Sequence, residues 1–491
     1  MTRAAVTDPG EGSAPRILGR PGVRLGAVAV VFGWAVFQAF WNLGAANYNS
    51  DEPIYVDAGW SYVHGDFSAN REHPPTAKLL IGLAQLVLGQ GALAGRIAVA
   101  LTVLAAGVII YLWLKREIGW AGALFAAGAW MLMPHGVTSG PRLDRFAVLE
   151  PFMAFFAICA FAAAWQWFRL RARAERASGS RPWLPWLWLV VSAVAMALSV
   201  TSKVSTAVMI PAILLLPLLA RRVVDALLGS LVFLAVFGVV AALLYLPMGI
   251  RSAVSYMLQM QSEHNAAGHL VVVAGVATTR PPWWTNLLYS VDGMGIAATV
   301  VLVVGLLAAF WLRPPALTLY VAAGMVLLLA FHLFASRVML SHYYYAWVWP
   351  ACVLAGIGVS VLLASRVRLL RLLAAALVVL AIGSALWVSV VIANERATGM
   401  ALVLPALEAE GVPDGDVLVG GMAPWEYTTY LDGHWTTDPN DPDIVAVATR
   451  ESERFPVDPG VEAVIGADAD DDEVLELDDV TLYILDEAPA R

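Results

Sequence analysis

Asn49-Ser50-Asp51-Glu52 places two adjacent carboxylates a few residues beyond an apolar run that ends at Leu43. At a membrane surface, a carboxylate beside a leaving phosphate is suited to take the proton from an attacking hydroxyl. Cations and imidazoles follow in the same external segments: His73 and Lys78, then Arg145, Lys203, His264 and His342, with Tyr343 next to the last. An arginine fork and a lysine would make charge-assisted contacts to a phosphate and stabilise it as it gains charge on leaving. Taken singly, each residue has a plainer use. Asp51 and Glu52 could start a solvated loop or cap a helix. Lys78 could snorkel from a helix end, Arg145 could pair with Asp144 or Glu150, and His342, Trp283, Trp284 and Tyr343 to Tyr345 could sit in an interfacial belt. The set is harder to dismiss because all of it falls on one side of the membrane.

That placement rests on the apolar pattern. Of 491 residues, 59% are hydrophobic and 14% charged, and the mean hydropathy is +0.71, far more apolar than a soluble domain. Runs of roughly 18 to 24 apolar residues suit helices that cross about 30 Å of hydrocarbon, and they lack the alternation of a barrel strand. Arg16, Arg20 and Arg24 precede the first run, Leu25 to Leu43, and set the N-terminus in the cytoplasm. The arginines at 169, 171, 173, 176 and 181 mark the same side with the parity that the N-terminus requires. Spans are expected near 93–114, 121–134, 146–168, 186–200, 204–219, 226–246, 287–312, 316–335, 345–363 and 370–392, eleven with the first. Leu79 to Leu88 is too short to cross and reads as a juxtamembrane or partly inserted helix. The polar stretches 46–78 and 251–286 are external loops, the first holding the paired carboxylates. A cleaved signal is not expected, because the first run is longer than a signal's apolar core.

Beyond Ile392 the character changes. This last fifth of the chain holds 24 of the 38 acidic residues and few basic ones, so the net charge of −8 averages two compartments. Short apolar runs at 416–419, 443–447, 462–465 and 480–485, bounded by turn residues, read as strands of a small α/β domain. The chain thus divides into a cytoplasmic tail (1–24), a membrane domain (25–393) and an extracytoplasmic domain (394–491). Cys159 and Cys352 lie in apolar runs with neither disulfide nor metal-ligand spacing. Asp470-Asp471-Asp472 reads as a solvated acidic loop, although it mimics a metal-binding Asp-x-Asp.

The motifs taken in order resemble one family. The Asp51-Glu52 pair after the first span, then Glu72-His73-Pro74-Pro75-Thr76-Ala77-Lys78-Leu79-Leu80, is similar to the protein O-mannosyltransferases, and the related lipid A aminoarabinose transferases carry Lys-Pro-Pro. Arg145-Phe146-Ala147-Val148-Leu149-Glu150 looks like that family's Arg-aromatic-x-x-Leu-Asp, with Glu for Asp. Ser202-Lys203, His264 with His269, Pro282-Trp283-Trp284 and His342-Tyr343-Tyr344-Tyr345 follow in order. The resemblance implies a GT-C fold and an inverting transfer of mannose or a related sugar from a polyprenyl-phosphate carrier to an outer-face acceptor. It implies Asp51 as base, Glu52 positioning the acceptor or sugar, and Lys78 and Arg145 on the carrier phosphate. His73, Lys203, His264, His342 and Tyr343 are further candidates for the donor pocket.

No cofactor and no divalent metal is expected under this resemblance. The expected partners are the polyprenyl-phosphate lipid, a protein, glycan or lipid acceptor, and the cytoplasmic membrane, with no nucleic acid. The terminal external domain is more like the aminoarabinose-transferase branch. Two other classes compete: a secondary transporter, which should show repeated hydropathy and broken helices, and a membrane sensor or scaffold whose tail binds a partner.

Overall fold

The computed structural model describes residues 21–133, 142–174, 183–311, 315–452, 454–467 and 473–485. Arg16, Arg20, Pro134, Arg176, Arg181, Leu312 and Asp470 to Asp472 lie outside the described residues. Long apolar runs become helices because hydrocarbon offers no partner for backbone N–H and C=O groups. Among the described residues, eight helices are long and apolar enough to cross a membrane: α1 (Pro21–Phe40), α4 (Ala92–Leu114), α6 (Glu150–Ala174), α9 (Val223–Tyr245), α11 (Thr285–Ala309), α12 (Ala316–Ala330, continued to Ala335 by a π turn), α13 (Tyr345–Ala364) and α14 (Arg368–Ala393). The chain is a multi-pass membrane protein.

The three remaining expected spans are shorter apolar helical segments: α5 (Trp120–Leu132), α7 (Leu184–Val200), and 204–220, where α8 (Ile210–Leu215) lies between 3₁₀ turns. At roughly 1.5 Å per residue, α5 is only about 20 Å long. It need not span alone, because most of its residues, Trp130 and Ala126 among them, are buried against neighbouring helices. The centre of the bundle is α13, 83% buried over its apolar window, whereas α1 and α9 are 11% buried and present apolar side chains outward. Phe161 of α6 stacks on Tyr320 of α12 with ring centres 4.7 Å apart and meets Trp349 of α13 edge-on at 5.2 Å.

The expected external loop 46–78 is largely helical. It contains α2 (Glu52–Val63) and runs into α3 (Thr76–Leu88), which covers the short helix expected at 79–88. These two helices touch backbone to backbone. A Cβ on Gly59 would sit 2.7 Å from the Lys78 carbonyl oxygen, and one on Gly82 would collide with the Gly59 carbonyl. The span expected from Phe146 begins at Glu150, after a 3₁₀ turn at Leu143–Arg145. The other expected loop, 251–286, contains α10 (Ile250–Ala267) and a hairpin of β1 (Val271–Val273) and β2 (Val276–Thr278). Ala253 and Met257 supply the buried side of α10, an i, i+4 pair that meets on one helix face.

After α14 the tail forms α15 (Val403–Glu410), β3 (Asp416–Gly420), α16 (Pro424–Tyr430), β4 (Trp435–Thr436), β5 (Ile444–Thr449), α17 (Pro459–Ala467), β6 (Glu473–Leu477) and β7 (Val480–Ile484). The sheet order is β4-β3-β5-β7-β6, parallel across the first three strands and antiparallel in the rest. The expected strand at 462–465 is instead the middle of α17. A four-residue apolar run has no decisive period, and here Val461 is buried against the sheet while Glu462 and Ala463 stay exposed.

The seam between α2 and α3 generates a specific expectation. Gly82→Ala forces two helix backbones apart and should destabilise the protein by about 1–3 kcal/mol, as overpacking does. The check is a lowered thermal midpoint in detergent, with no comparable drop for Ala at Gly33, whose Cβ would meet nothing within 4 Å.

Candidate functional site

Asp51 occupies the residue just before α2, so its carboxylate sits at the helix N-terminus. Among the described residues the carboxylate takes one hydrogen bond, a long one: the Tyr55 hydroxyl donates to Oδ2 at 3.5 Å. Tyr55 lies one helical turn on, the spacing that puts two side chains on one face. Among the described residues Asp51 makes no salt bridge, and it stays partly accessible.

Its neighbour Glu52 has the opposite fate. Fully buried, it takes two hydrogen bonds from Arg96, Nε to Oε1 at 2.8 Å and Nη2 to Oε2 at 2.7 Å. Oε1 also accepts the Ala147 N–H at 2.8 Å, and Oε2 accepts that of Asn49 at 3.3 Å. Glu52 was expected to position acceptor or sugar; the structure places it instead with both oxygens engaged in holding the loop. Helix geometry is the reason, since successive residues point in different directions and only one of two adjacent carboxylates can face the site.

A second charged group gathers beside Asp51. Glu150, the first residue of α6, pairs through Oε1 with Lys203 Nζ and lies 3.3 Å from His342 Nε2. The Lys203 ammonium sits over the Tyr343 ring, 4.5 Å from its centre. Burial is the largest single influence on Lys203 and disfavours its charge, but Glu150, Tyr343 and Asp51 together outweigh it, and the pKa is raised above the ordinary 10.5. His342 is shifted down, first by burial and then by Lys203, against the pull of Glu150. His73 packs edge-on against Tyr55 at 5.7 Å and is held neutral, its pKa pulled down to about 3 by burial and by Lys203 and Lys78. Asp51, His73, Lys203, His342 and Tyr343 thus share one environment, together with Tyr55 and Glu150.

Lys78 and Arg145 are placed differently from the expectation that both hold the carrier phosphate. Lys78 Nζ donates to the carbonyls of Asn70 and His73 and to Asn70 Oδ1, which uses all three of its hydrogens. It braces the loop 70–78, and burial pulls its pKa down to about 7. Arg145 donates to the carbonyls of Gln38 and Trp41 and pairs with Glu395 at 2.7 Å. Each cation lies among carbonyl groups whose hydrogen-bonding capacity it meets, as burial requires.

His264, at the exposed end of α10, bonds His269 at 3.1 Å, and His269 bonds Arg454 of the tail at 3.1 Å. This chain borders the cluster from outside, near enough for Asp51 and His342 to act on the His269 charge. Trp283 and Trp284 are exposed, and Trp283 stacks on Phe334 with centres 5.8 Å apart. Among the described residues no three side chains of metal-ligating type converge.

Tyr55 and Arg96 belong to this construction and were absent from the expected set. Their signals were faint but present: Tyr55 follows Asp51 at helical spacing, and Arg96 is a lone charge near the start of a 23-residue apolar helix. An ionisable residue in such a helix marks a partner.

No family model and no curated protein matches the chain. Solved structures do. The crystal structure of ArnT from Cupriavidus metallidurans bound to undecaprenyl phosphate aligns over 96% of this chain and 99% of its own, at 14% identity and a TM-score of 0.57, and the apo state of the same protein aligns equally well. The archaeal oligosaccharyltransferase AglB from Archaeoglobus fulgidus, in complex with an inhibitory peptide and a dolichol-phosphate, aligns over 87% of this chain and 69% of its own, at 11% identity and a TM-score of 0.53. At such identities the likeness is one of fold, and the fold is that of the GT-C membrane proteins.

Proposed function

We propose that the chain is an inverting membrane glycosyltransferase that moves a sugar, mannose or a related one, from a polyprenyl-phosphate carrier to an acceptor hydroxyl outside the cytoplasmic membrane. The observation that carries this reading is the juxtaposition of Asp51, a carboxylate without a salt bridge among the described residues, with the Lys203, His342 and Tyr343 group. The fold likeness supports it, since proteins of this architecture are seen with undecaprenyl phosphate and with a dolichol-phosphate. The N-terminus is cytoplasmic and the tail domain external, on the parity set by the arginines.

In the proposed step Asp51 accepts the acceptor's hydroxyl proton as that oxygen attacks the anomeric carbon. The bond from that carbon to the phosphate oxygen breaks, and the electron pair leaves with the carrier phosphate. Lys203 stands where this added charge develops, with Tyr343 and His342 offering further hydrogen bonds, which is transition-state stabilisation. One displacement inverts the anomeric centre. Lys203 takes the phosphate role first expected of Lys78 and Arg145, because Lys78 has all three of its hydrogens engaged by the loop and Arg145 already pairs with Glu395. The reaction needs no divalent ion in this scheme, because side-chain cations meet the phosphate. The acceptor class, protein, glycan or lipid, is left to the acceptor arms of the assay.

Transfer is measured with purified full-length protein, labelled polyprenyl-phosphate sugars and membrane acceptors, in the presence of a chelator. Asp51→Asn should lower kcat by about 10²–10⁴ with an unchanged thermal midpoint, as loss of a general base does. Parent-rate transfer by this variant would refute the assignment of the base, and loss of parental transfer on chelation would refute the metal-free step.

A pH series separates the two candidate lysines. A lysine is charged below its pKa. Lys203, raised above 10.5, keeps its charge across neutral and mildly alkaline pH, so donor affinity should stay flat from about pH 7.5 to 9. Lys78, with a pKa of about 7, loses charge across that window. A steep fall in donor affinity there would assign the phosphate to Lys78.

A further inference from the structure

The loop that carries Asp51 is held from the far end of the chain. Asn47 Nδ2 donates to the Thr398 carbonyl at 2.9 Å and to its hydroxyl at 3.2 Å, and the Thr398 N–H donates back to Asn47 Oδ1 at 3.2 Å. One residue on, the Tyr48 N–H donates to the Tyr430 hydroxyl at 2.6 Å, with the two rings 5.6 Å apart. Thr398 and Tyr430 both belong to the segment after α14. Tyr430 ends α16, where Tyr427 packs on Trp435 at 4.6 Å and Glu426 pairs with Arg450 at 2.7 Å, so its hydroxyl is presented by a packed domain. From Asn47 the constraint passes inward: its carbonyl accepts Arg96 Nη2 at 3.1 Å, and Arg96 holds Glu52. Asp51 is therefore bracketed. On one side lies the buried Glu52, and on the other lie Asn47 and Tyr48, both fastened to the tail domain.

We propose that Tyr430 and Thr398 are positioning residues for the transfer reaction, and that the tail domain acts as the outer clamp that sets the place of Asp51. This rests on the reading of Asp51 as the base. A base works only within hydrogen-bond reach of the proton it takes, and a displacement of about 1 Å in such a group can cost about a hundredfold in rate. The clamp touches no substrate atom. It removes freedom from the three residues between Asn47 and Asp51, which otherwise form an irregular turn at the membrane surface. A tail serving only as an acceptor-recognition module would need no such bonds to the loop.

Tyr430→Phe keeps the ring contact and removes one oxygen, and Tyr430→Phe with Asn47→Ala removes the remaining bonds. Both are made in the full chain. Hydrogen–deuterium exchange of residues 47–52 should quicken at least several-fold in Tyr430→Phe, and more in the double variant, with exchange in the tail sheet unchanged. In the transfer assay kcat should fall about tenfold in Tyr430→Phe, the worth of one hydrogen bond of about 1.4 kcal/mol. KM for the donor and binding of unglycosylated polyprenyl phosphate should hold. Parental exchange of the loop in both variants overturns the clamp. So does faster exchange with parental kcat, or loss of turnover that merely follows a lowered thermal midpoint. If the double variant does not fold, the single oxygen deletion decides. The exchange arm needs no turnover, so a failure of the base reading, seen as parental transfer by Asp51→Asn, stays distinct from a failure of the clamp.

Discussion

The ion pair between Glu52 and Arg96 is the constraint on which the site depends. Burying two charges is expensive, and mutual attraction offsets that cost only when every remaining donor and acceptor is met. Here the condition is satisfied. Arg96 has five N–H donors, and all are used: two on Glu52 and one each on the carbonyls of Leu43, Ala46 and Asn47. The carboxylate in turn reaches the Ala147 N–H in the lead to α6. One residue pair therefore ties together the end of the first span, the start of α2, α4 and the approach to α6. Losing either partner would strand a buried charge at a cost of about 3–5 kcal/mol, and the loop and the helices would lose register together.

That arrangement explains the division of labour among the charged residues. Cations that meet carbonyls in a buried loop, such as Lys78 and Arg145, are parts of the frame. Lys203 differs because its partner is a carboxylate shared with His342, beneath the Tyr343 ring. A phosphate arriving there would find an ammonium already desolvated and aimed, so little reorganisation remains at the moment of reaction. Glu150 keeps that ammonium charged in spite of burial, and its own position is fixed as the first residue of a spanning helix. The neutral His73 and the Tyr55 hydroxyl, which reaches Asp51, stand near this group without adding a competing charge.

Much of this was legible in the residues. Long apolar runs and arginine placement suffice for the membrane helices, because lipid leaves the backbone no alternative to a helix. The order of the motifs marked Asp51, Lys203, His342 and Tyr343. Other features were hidden for physical reasons. Asp51 and Glu52 are adjacent carboxylates in one sequence context, and only the direction of each side chain from α2 separates the exposed group from the buried one. Arg96 lies 44 residues from Glu52 and is read from hydropathy as an interruption, not a partner. The helix α10 sits in a polar stretch whose apolar face is narrow. In the tail, α17 and the strands have similarly short apolar runs, and packing against the sheet decides between them. Lys78 and Arg145 stand out in the sequence as cations suited to the carrier phosphate; the carbonyls that engage them come from Asn70, His73, Gln38 and Trp41, which no motif announces.

The order of the chain adds a last consequence. The bond from Tyr48 to Tyr430 closes across 382 residues, that from Asn47 to Thr398 across 351, and that from Arg145 to Glu395 across 250. Contacts so distant form late, because closure of the intervening chain must precede them. The first span and its carboxylates enter the membrane early, yet the loop has its outer fastening only when α14 is in place and the tail sheet has folded. Until then Glu52 and Arg96 can hold the inner side of the loop, while Asn47 and Tyr48 lack their partners. The acidic, sheet-forming tail thus makes completion of the whole membrane domain a condition for a defined Asp51 geometry, which gives a physical reason for a domain at the end of the chain to be bonded to a loop at its beginning.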